Sequence, residues 1–269
     1  MIEIFANFPG AVFQRDVIAG VREVIDQSGY EAAVMEVPVP PARIADLPMP
    51  EERLAGVLVV TGVLPDAVLY ELGERAIPMS LVSHQIPGEH IPGVMPNNRQ
   101  GIAMLMEHLV LECGCRQPVF IGGILSQTDG YQRHNAFQQE VMRYNLHVPP
   151  EHYLRGDFSP DIAAASMREF LASGAAFDAV VASDYLMAEA AMHKIQMSGR
   201  RIPDEVAVVG FGDGPEAALA GITTVAADVT ELGRRAARQL IGQINGLRIR
   251  GLTLLSTELI ERDTTRAIE

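Results

Sequence analysis

The sequence predicts an α/β protein made of two Rossmann-like lobes, each a parallel sheet covered by helices on both faces. Three observations carry that expectation. Short apolar runs rich in β-branched residues alternate with segments of helical period, the rhythm of parallel strands joined by helical crossovers. Nine such runs can be picked out, which together with the chain length call for two sheets rather than one. A chain of 269 residues, 48% of them hydrophobic, also suffices for two lobes of roughly 100–150 residues each.

In chain order, strands are expected at Glu3–Ala6, Glu31–Glu36, Gly56–Thr61, Ile77–Ser83, Pro118–Ile121, His152–Arg155, Ala179–Ala182, Val206–Phe211 and Leu252–Ile260. Between the first two, Val17, Ile18, Val21, Val24 and Ile25 recur at helical spacing, and Gly29 stands where a C′ glycine ends a helix. Pro38-Val39-Pro40-Pro41 reads as a surface turn. A helix over Pro65–Glu74 carries Val68, Leu69 and Leu72. Asn97 or Asn98 caps a helix bearing Met104, Leu105, His108 and Leu109, and Asp184 caps Tyr185–Ser198. Glu216–Ala220 has a helical pattern, and Thr230 with Glu231 opens the helix Leu232–Gly246.

Charge and cysteine usage exclude whole classes of function. Net charge is 21 − 34 = −13, whereas phosphate backbones demand clustered Lys and Arg. The chain by itself is therefore expected to bind neither nucleic acid nor an anionic membrane surface. The cysteines are Cys113 and Cys115 alone, too closely spaced for an ordinary structural disulfide and consistent with a reducing cytoplasm. The amino terminus lacks a basic segment followed by a long apolar one, so no signal peptide is expected.

Several motifs that would carry chemistry fall short of it. Gly210-Phe211-Gly212-Asp213-Gly214-Pro215 follows a buried strand and nearly matches the dinucleotide-binding turn, with Asp228 at a suitable distance for a ribose hydroxyl. Pro215, however, stands where a third glycine or alanine should be, so an NAD-dependent enzyme remains only an alternative. No Gly-Lys-Ser/Thr follows Gly122-Gly123, and no G-x-S-x-G elbow occurs. The seven histidines form no H-E-x-x-H, and Cys113-x-Cys115 lacks further ligands at a metal spacing. No metal, cofactor or catalytic residue is expected.

What remains is polar residues at the carboxyl ends of the expected strands. Asp129 and Arg133 follow Pro118–Ile121, and Asp157 and Phe158 follow His152–Arg155. Ser183 and Asp184 follow Ala179–Ala182, and Asp213 follows Val206–Phe211. Open α/β sheets bind ligands outside those ends, and one aromatic face with convergent polar groups suits a small-molecule pocket.

The same residues carry a family resemblance. Ile202-Pro203-Asp204-Glu205-Val206, Gly210-Phe211-Gly212-Asp213, Thr223-Thr224-Val225 and Glu231-Leu232-Gly233-Arg234-Arg235-Ala236 resemble the I-P-x-D-V, G-F-D-D, L-T-T-V and E-L-G-x-x-A segments of the LacI/GalR transcriptional regulators. Glu107-His108-Leu109, Val119-Phe120-Ile121-Gly122-Gly123, Arg133 with Phe137, and Glu261-Arg262-Asp263-Thr264 extend the likeness over nearly the whole chain. It implies a ligand-sensing, effector-binding domain of the periplasmic-binding-protein-like type I fold. Its two lobes would be joined by three crossovers, with a small polar metabolite, a sugar or sugar derivative, in the cleft. The implied lobes are residues 1–96 with 229–256 and 97–228 with 257–269.

By the same resemblance, Arg133 reaches the ligand, and Phe13 and Gln14 line the pocket from the first lobe. Gln127 and Asp129 supply polar contacts, Phe158 stacks, and Ser183 with Asp184 completes the next strand end. Asp213 survives from the family's acidic pair, but Gly212 replaces its first acid, which argues against a plain sugar. The family's amino-terminal helix-turn-helix is missing, so operator DNA is expected as a partner only through such a module, and an excised domain is the favoured reading. A transporter's solute-binding protein is a second alternative. The family's dimers imply a cytoplasmic homodimer, with Val68, Leu69, Leu72, Met187, Met192 and Met197 as candidate interface residues.

Overall fold

The structure, a computed structural model, describes residues 1–47, 54–86 and 91–268. From the amino terminus come β1 (Ile2–Ala6), α1 (Val12–Asp26), β2 (Ala32–Glu36), β3 (Gly56–Val60), α2 (Asp66–Glu74), β4 (Met79–Val82) and β5 (Gly93–Pro96). Next, α3 (Asn98–Glu107) runs into a π turn at His108–Glu112. There follow β6 (Pro118–Gly122), α4 (Thr128–Arg143), β7 (Tyr153–Arg155), α5 (Pro160–Ser173), β8 (Ala179–Ala182), α6 (Tyr185–Met197), β9 (Ala207–Phe211) and α7 (Pro215–Leu219). The last elements are β10 (Thr223–Ala226), α8 (Val229–Ile244), β11 (Leu252–Leu255) and β12 (Glu258–Ile260). None of the described helices is long and apolar enough to cross a membrane.

The chain forms two units, Met1–Pro96 with Asp228–Leu255 and Asn97–Ala227 with Ser256–Glu269. The first holds a six-stranded sheet of order β2-β1-β3-β4-β5-β11, parallel throughout. The second repeats the plan as β7-β6-β8-β9-β10-β12, with β12 antiparallel to β10. Central strands such as Ile2–Ala6, Gly56–Val60 and Ala207–Phe211 are buried at every residue, because helices cover both faces of a parallel sheet. The edge strands β2 and β7 are only partly buried. In each sheet the strand order reverses beside the first strand, between β1 and β3 and between β6 and β8. Connections leave such a point in opposite directions and open a crevice at the carboxyl ends.

Glycines set the tightest contact of the first unit. A Cβ on Gly20 of α1 would fall on the Thr230 carbonyl, and one on Gly233 of α8 would fall on the Val17 carbonyl. The two helices therefore touch backbone to backbone. In the same unit Phe5, Val57, Val59, Val68, Leu69 and Leu72 form one core.

Several expectations need correction. β5 and β10 were not anticipated as strands, being short and carrying proline or threonine rather than long aliphatic runs. The expected strand Leu252–Ile260 is two strands belonging to different sheets, broken at Ser256-Thr257. α1 ends at the cap residue Gln27, so Gly29, at φ +78°, lies one residue beyond the C′ position. α8 begins at Val229, and the Asp228 carboxylate accepts from the Glu231 N–H at 2.9 Å. That makes Asp228 a helix cap rather than a ribose ligand. Of the candidate interface residues, Val68, Leu69, Leu72, Met187 and Met192 are buried in the cores of their own units; only Met197 is exposed.

Candidate functional site

The crevice between β6 and β8 in the second unit collects most of the expected polar residues. α4 follows β6 and carries Asp129 in its first turn and Arg133 one turn later. β8 is followed by Ser183 and by Asp184, which caps α6 through bonds from the Leu186 and Met187 N–H groups at 2.8 and 3.2 Å. Arg133 spans the crevice: Nη1 donates to the Ser183 carbonyl at 2.6 Å. Nε donates to Asn98 Oδ1 at 2.8 Å, and Nη2 lies 3.5 Å from Asp129 Oδ2. The Asn98 amide turns to Asp129 and Gln132 at 2.8 and 2.9 Å.

Arg133 is only 7% exposed, and its guanidinium carbon sits 3.7 Å from the centre of the Phe211 ring. A desolvated contact of this kind is worth about 2 kcal/mol. Phe211 reaches it because α3 presents Gly101 there; a Cβ at that position would strike the ring. Phe158 flanks the guanidinium at 5.9 Å and lies over Gly123, again where a Cβ would collide. Phe158 and its neighbour Asp157 both hold left-handed backbone, at φ +54° and +51°. Each costs about 1–2 kcal/mol, and such strain concentrates at binding sites.

Burial and charge pull against each other here. Burial lowers the Arg133 pKa, while Asp129 and Asp184 raise it. Burial raises the Asp184 pKa, against the Met187 N–H, the Arg133 charge and the Leu186 N–H. The Ser183 hydroxyl, fully buried beside this assembly, has no hydrogen-bond partner among the described residues, and a buried polar group left so costs free energy until something pairs with it.

Asp213 plays a different part. Arg262 grips it with Nη1 to Oδ1 at 2.8 Å and Nη2 to Oδ2 at 2.9 Å, and the Thr224 hydroxyl adds a bond at 3.0 Å. The carboxylate thus holds the segment after β12 to β10. Gly212, at φ +82°, makes the turn before it. Gln127 is the cap residue of α4 and makes no capping bond with its side chain. In the first unit, Phe13 is half-buried at the start of α1. Gln14 is tied to the loop after β1, donating to Asn7 Oδ1 and accepting from the Phe8 N–H. Phe8 itself is 60% exposed.

Sequence reasoning missed Asn98, Phe211 and Arg262 as site residues. Asn98 was read only as a possible cap, whereas Asn97 caps α3 and Asn98 faces Arg133. Phe211 and Arg262 stood within quoted motifs, but nothing local marks a strand phenylalanine as the platform for an arginine on another element.

A model of the periplasmic binding protein-like domain matches residues 106–265. The chain is 30% identical over 222 residues to the ribose operon repressor of Halalkalibacterium halodurans, covering 81% of this chain and 65% of that protein. It is 31% identical over 227 residues to the HTH-type transcriptional regulator CelR of Thermobifida fusca, covering 79% and 66%. The chain thus spans about two thirds of the length of these relatives. A dimeric lac repressor with a carboxyl-terminal deletion superposes with a TM-score of 0.88 at 21% identity over 100% of both chains. These proteins are transcriptional regulators, not enzymes.

Proposed function

The chain belongs to the periplasmic-binding-protein-like domains of the LacI/GalR regulators, and from that premise we infer that it senses a neutral, hydroxyl-rich metabolite at the Arg133 crevice. The observation that carries this reading is the Arg133 assembly itself. A guanidinium seated on Phe211 and braced by Asn98, Asp129 and the Ser183 carbonyl is held rigidly enough to recognise a ligand in one pose.

Charge supports a neutral ligand over a phosphorylated one. One guanidinium faces two carboxylates, Asp129 and Asp184, so a dianion would meet net repulsion. Carboxylates and a guanidinium recognise paired hydroxyls through hydrogen bonds, and the unpartnered Ser183 hydroxyl can take one more. The ribose operon repressor among the relatives makes a sugar or sugar derivative the first class to test. Phe13, on α1, is proposed as a ligand contact. Operator binding, assembly as a homodimer and a place in the cytoplasm belong to the same proposal for the whole regulator.

Calorimetric titration with neutral pentoses, hexoses, disaccharides and nucleosides, beside their phosphorylated forms, tests the reading. A saturating ligand stabilises the chain by RT ln(1 + [L]/Kd), about 2.7 kcal/mol at a hundredfold excess over Kd. Binding of phosphorylated compounds alone, or binding indifferent to Arg133, overturns it.

A further inference from the structure

Where α3 opens into its π turn, three side chains outside the Arg133 crevice converge. His108 is buried, while Glu112 and Glu261 are exposed, and one ligating atom from each lies within 4.8 Å of the others. The π turn brings Glu112 back to the imidazole: the Cys113 N–H bonds the His108 carbonyl at 3.0 Å, and Glu112 Oε2 stands 2.9 Å from Nδ1. Glu261 arrives from the segment after β12. Among the described residues, no lysine or arginine forms an ion pair with either glutamate, and His108 is the basic partner of Glu112.

The other side of the imidazole decides what Nδ1 presents. Nε2 is 2.9 Å from Thr265 Oγ1, which is 2.8 Å from Thr223 Oγ1. Thr223 Oγ1 accepts from the Arg262 N–H at 2.9 Å and lies 3.2 Å from the Arg262 carbonyl. A carbonyl can only accept. Every member of the chain is satisfied when Nε2–H donates to Thr265, Thr265 to Thr223 and Thr223 to that carbonyl. With Nε2–H so engaged, a proton lies between Nδ1 and Glu112 Oε2, 2.9 Å apart, and a metal ion displaces that proton to take the Nδ1 lone pair. A buried hydroxyl holding the distal N–H is also the outer support that orients a metal-ligating histidine.

We propose that His108 Nδ1, Glu112 and Glu261 form a site for one divalent transition-metal ion, Zn2+ fitting best, with water completing the coordination. An imidazole among the ligands favours zinc over magnesium or calcium, which prefer oxygen alone. Bonds of about 2.0–2.2 Å around a tetrahedral ion place ligand atoms roughly 3.3–3.5 Å apart. Rotation of the two exposed glutamates closes the present 4.8 Å spread to that distance. Cys113 Sγ lies 3.5 Å from Nε2, not from the Nδ1 that meets Glu112, and is left out of the proposed ligand set. Bound metal clamps the segment after β12 to the end of α3, a constraint absent from the spacing of histidines and cysteines because Glu261 comes from so far along the chain.

Equilibrium dialysis of the chelator-treated full chain against Zn2+ or Mg2+, with thermal unfolding in parallel, tests the site. The expected result is one Zn2+ per chain, a raised Tm and no comparable effect of Mg2+. Glu112→Gln and Glu261→Gln each weaken zinc binding by about tenfold or more, Glu261→Gln with the metal-free Tm unchanged, and Cys113→Ser binds as the parent does. Absence of stoichiometric zinc at micromolar concentration, equal binding of Mg2+, or zinc lost in Cys113→Ser but retained in both glutamine variants overturns the proposal.

Discussion

At Arg133, shape matters as much as charge. A lysine there keeps the cation but can neither lie flat on Phe211 nor reach Asn98 and the Ser183 carbonyl at once. Arg133→Lys is therefore expected to weaken effector binding about tenfold or more in calorimetry while the chain stays folded. Arg133→Ala also strands Asp129 and Asp184 in a buried site and costs stability as well, about 3–5 kcal/mol in denaturant unfolding. Cys115 makes a second residue-scale case. Burial first, then the neighbouring Asp178 carboxylate, pushes its thiol up to about 12. At pH 8 that leaves roughly a thousandfold less thiolate than an ordinary cysteine carries. In the native chain, mass-resolved alkylation should leave Cys115 unmodified under conditions that label it fully in denaturant; equal rates in the two states would refute the assignment. The polar residues around Arg133 were legible because they fall at strand ends, where loops carry function. Its platform Phe211 and its brace Asn98 were not, since they meet the guanidinium only through tertiary packing.

At the scale of elements, the α1–α8 crossing explains a motif that the sequence offered without a reason. Gly233 in Glu231-Leu232-Gly233 faces the Val17 carbonyl, and Gly20 faces that of Thr230. Gly233→Ala forces the helices apart and should destabilise the chain by roughly 3 kcal/mol, read as a lowered midpoint in urea. A neutral outcome would mean that the helices separate at little cost. The central strands were legible from their unbroken aliphatic runs, as Gly56–Val60 and Ala179–Ala182 illustrate. β5 and β10 were not, because four residues in the middle of a sheet need only neighbours to pair with, not a distinctive composition. Leu252–Ile260 misled for a related reason. Apolar content marks a segment as buried without saying in which sheet, and the break at Ser256-Thr257 is where the chain changes sheets.

For the whole molecule, the proposed regulator needs a symmetric pair, since a two-fold operator is read by a two-fold protein. Light scattering at tens of micromolar should return twice the 29.2 kDa chain mass; a persistent monomer, with and without effector, would remove that part of the proposal. Of the six candidate apolar residues only Met197 is exposed and the other five lie in the unit cores, so an interface draws mostly on other side chains. Interrupted connectivity has its own consequence for synthesis. The first unit draws on Met1–Pro96 and then on Asp228–Leu255, and β5 waits for β11 as its edge neighbour. As the ribosome delivers about 5–20 residues per second, the open β5 edge and the bare α1 surface persist until α8 and β11 emerge. The second unit can assemble most of its sheet in that interval, reversing the order in which the two begin. Nascent chains halted after Ala227 should accordingly show a protease-sensitive amino-terminal part and a resistant portion between residues 97 and 227, and newly made protein should lean on holding chaperones until the last strands leave the tunnel.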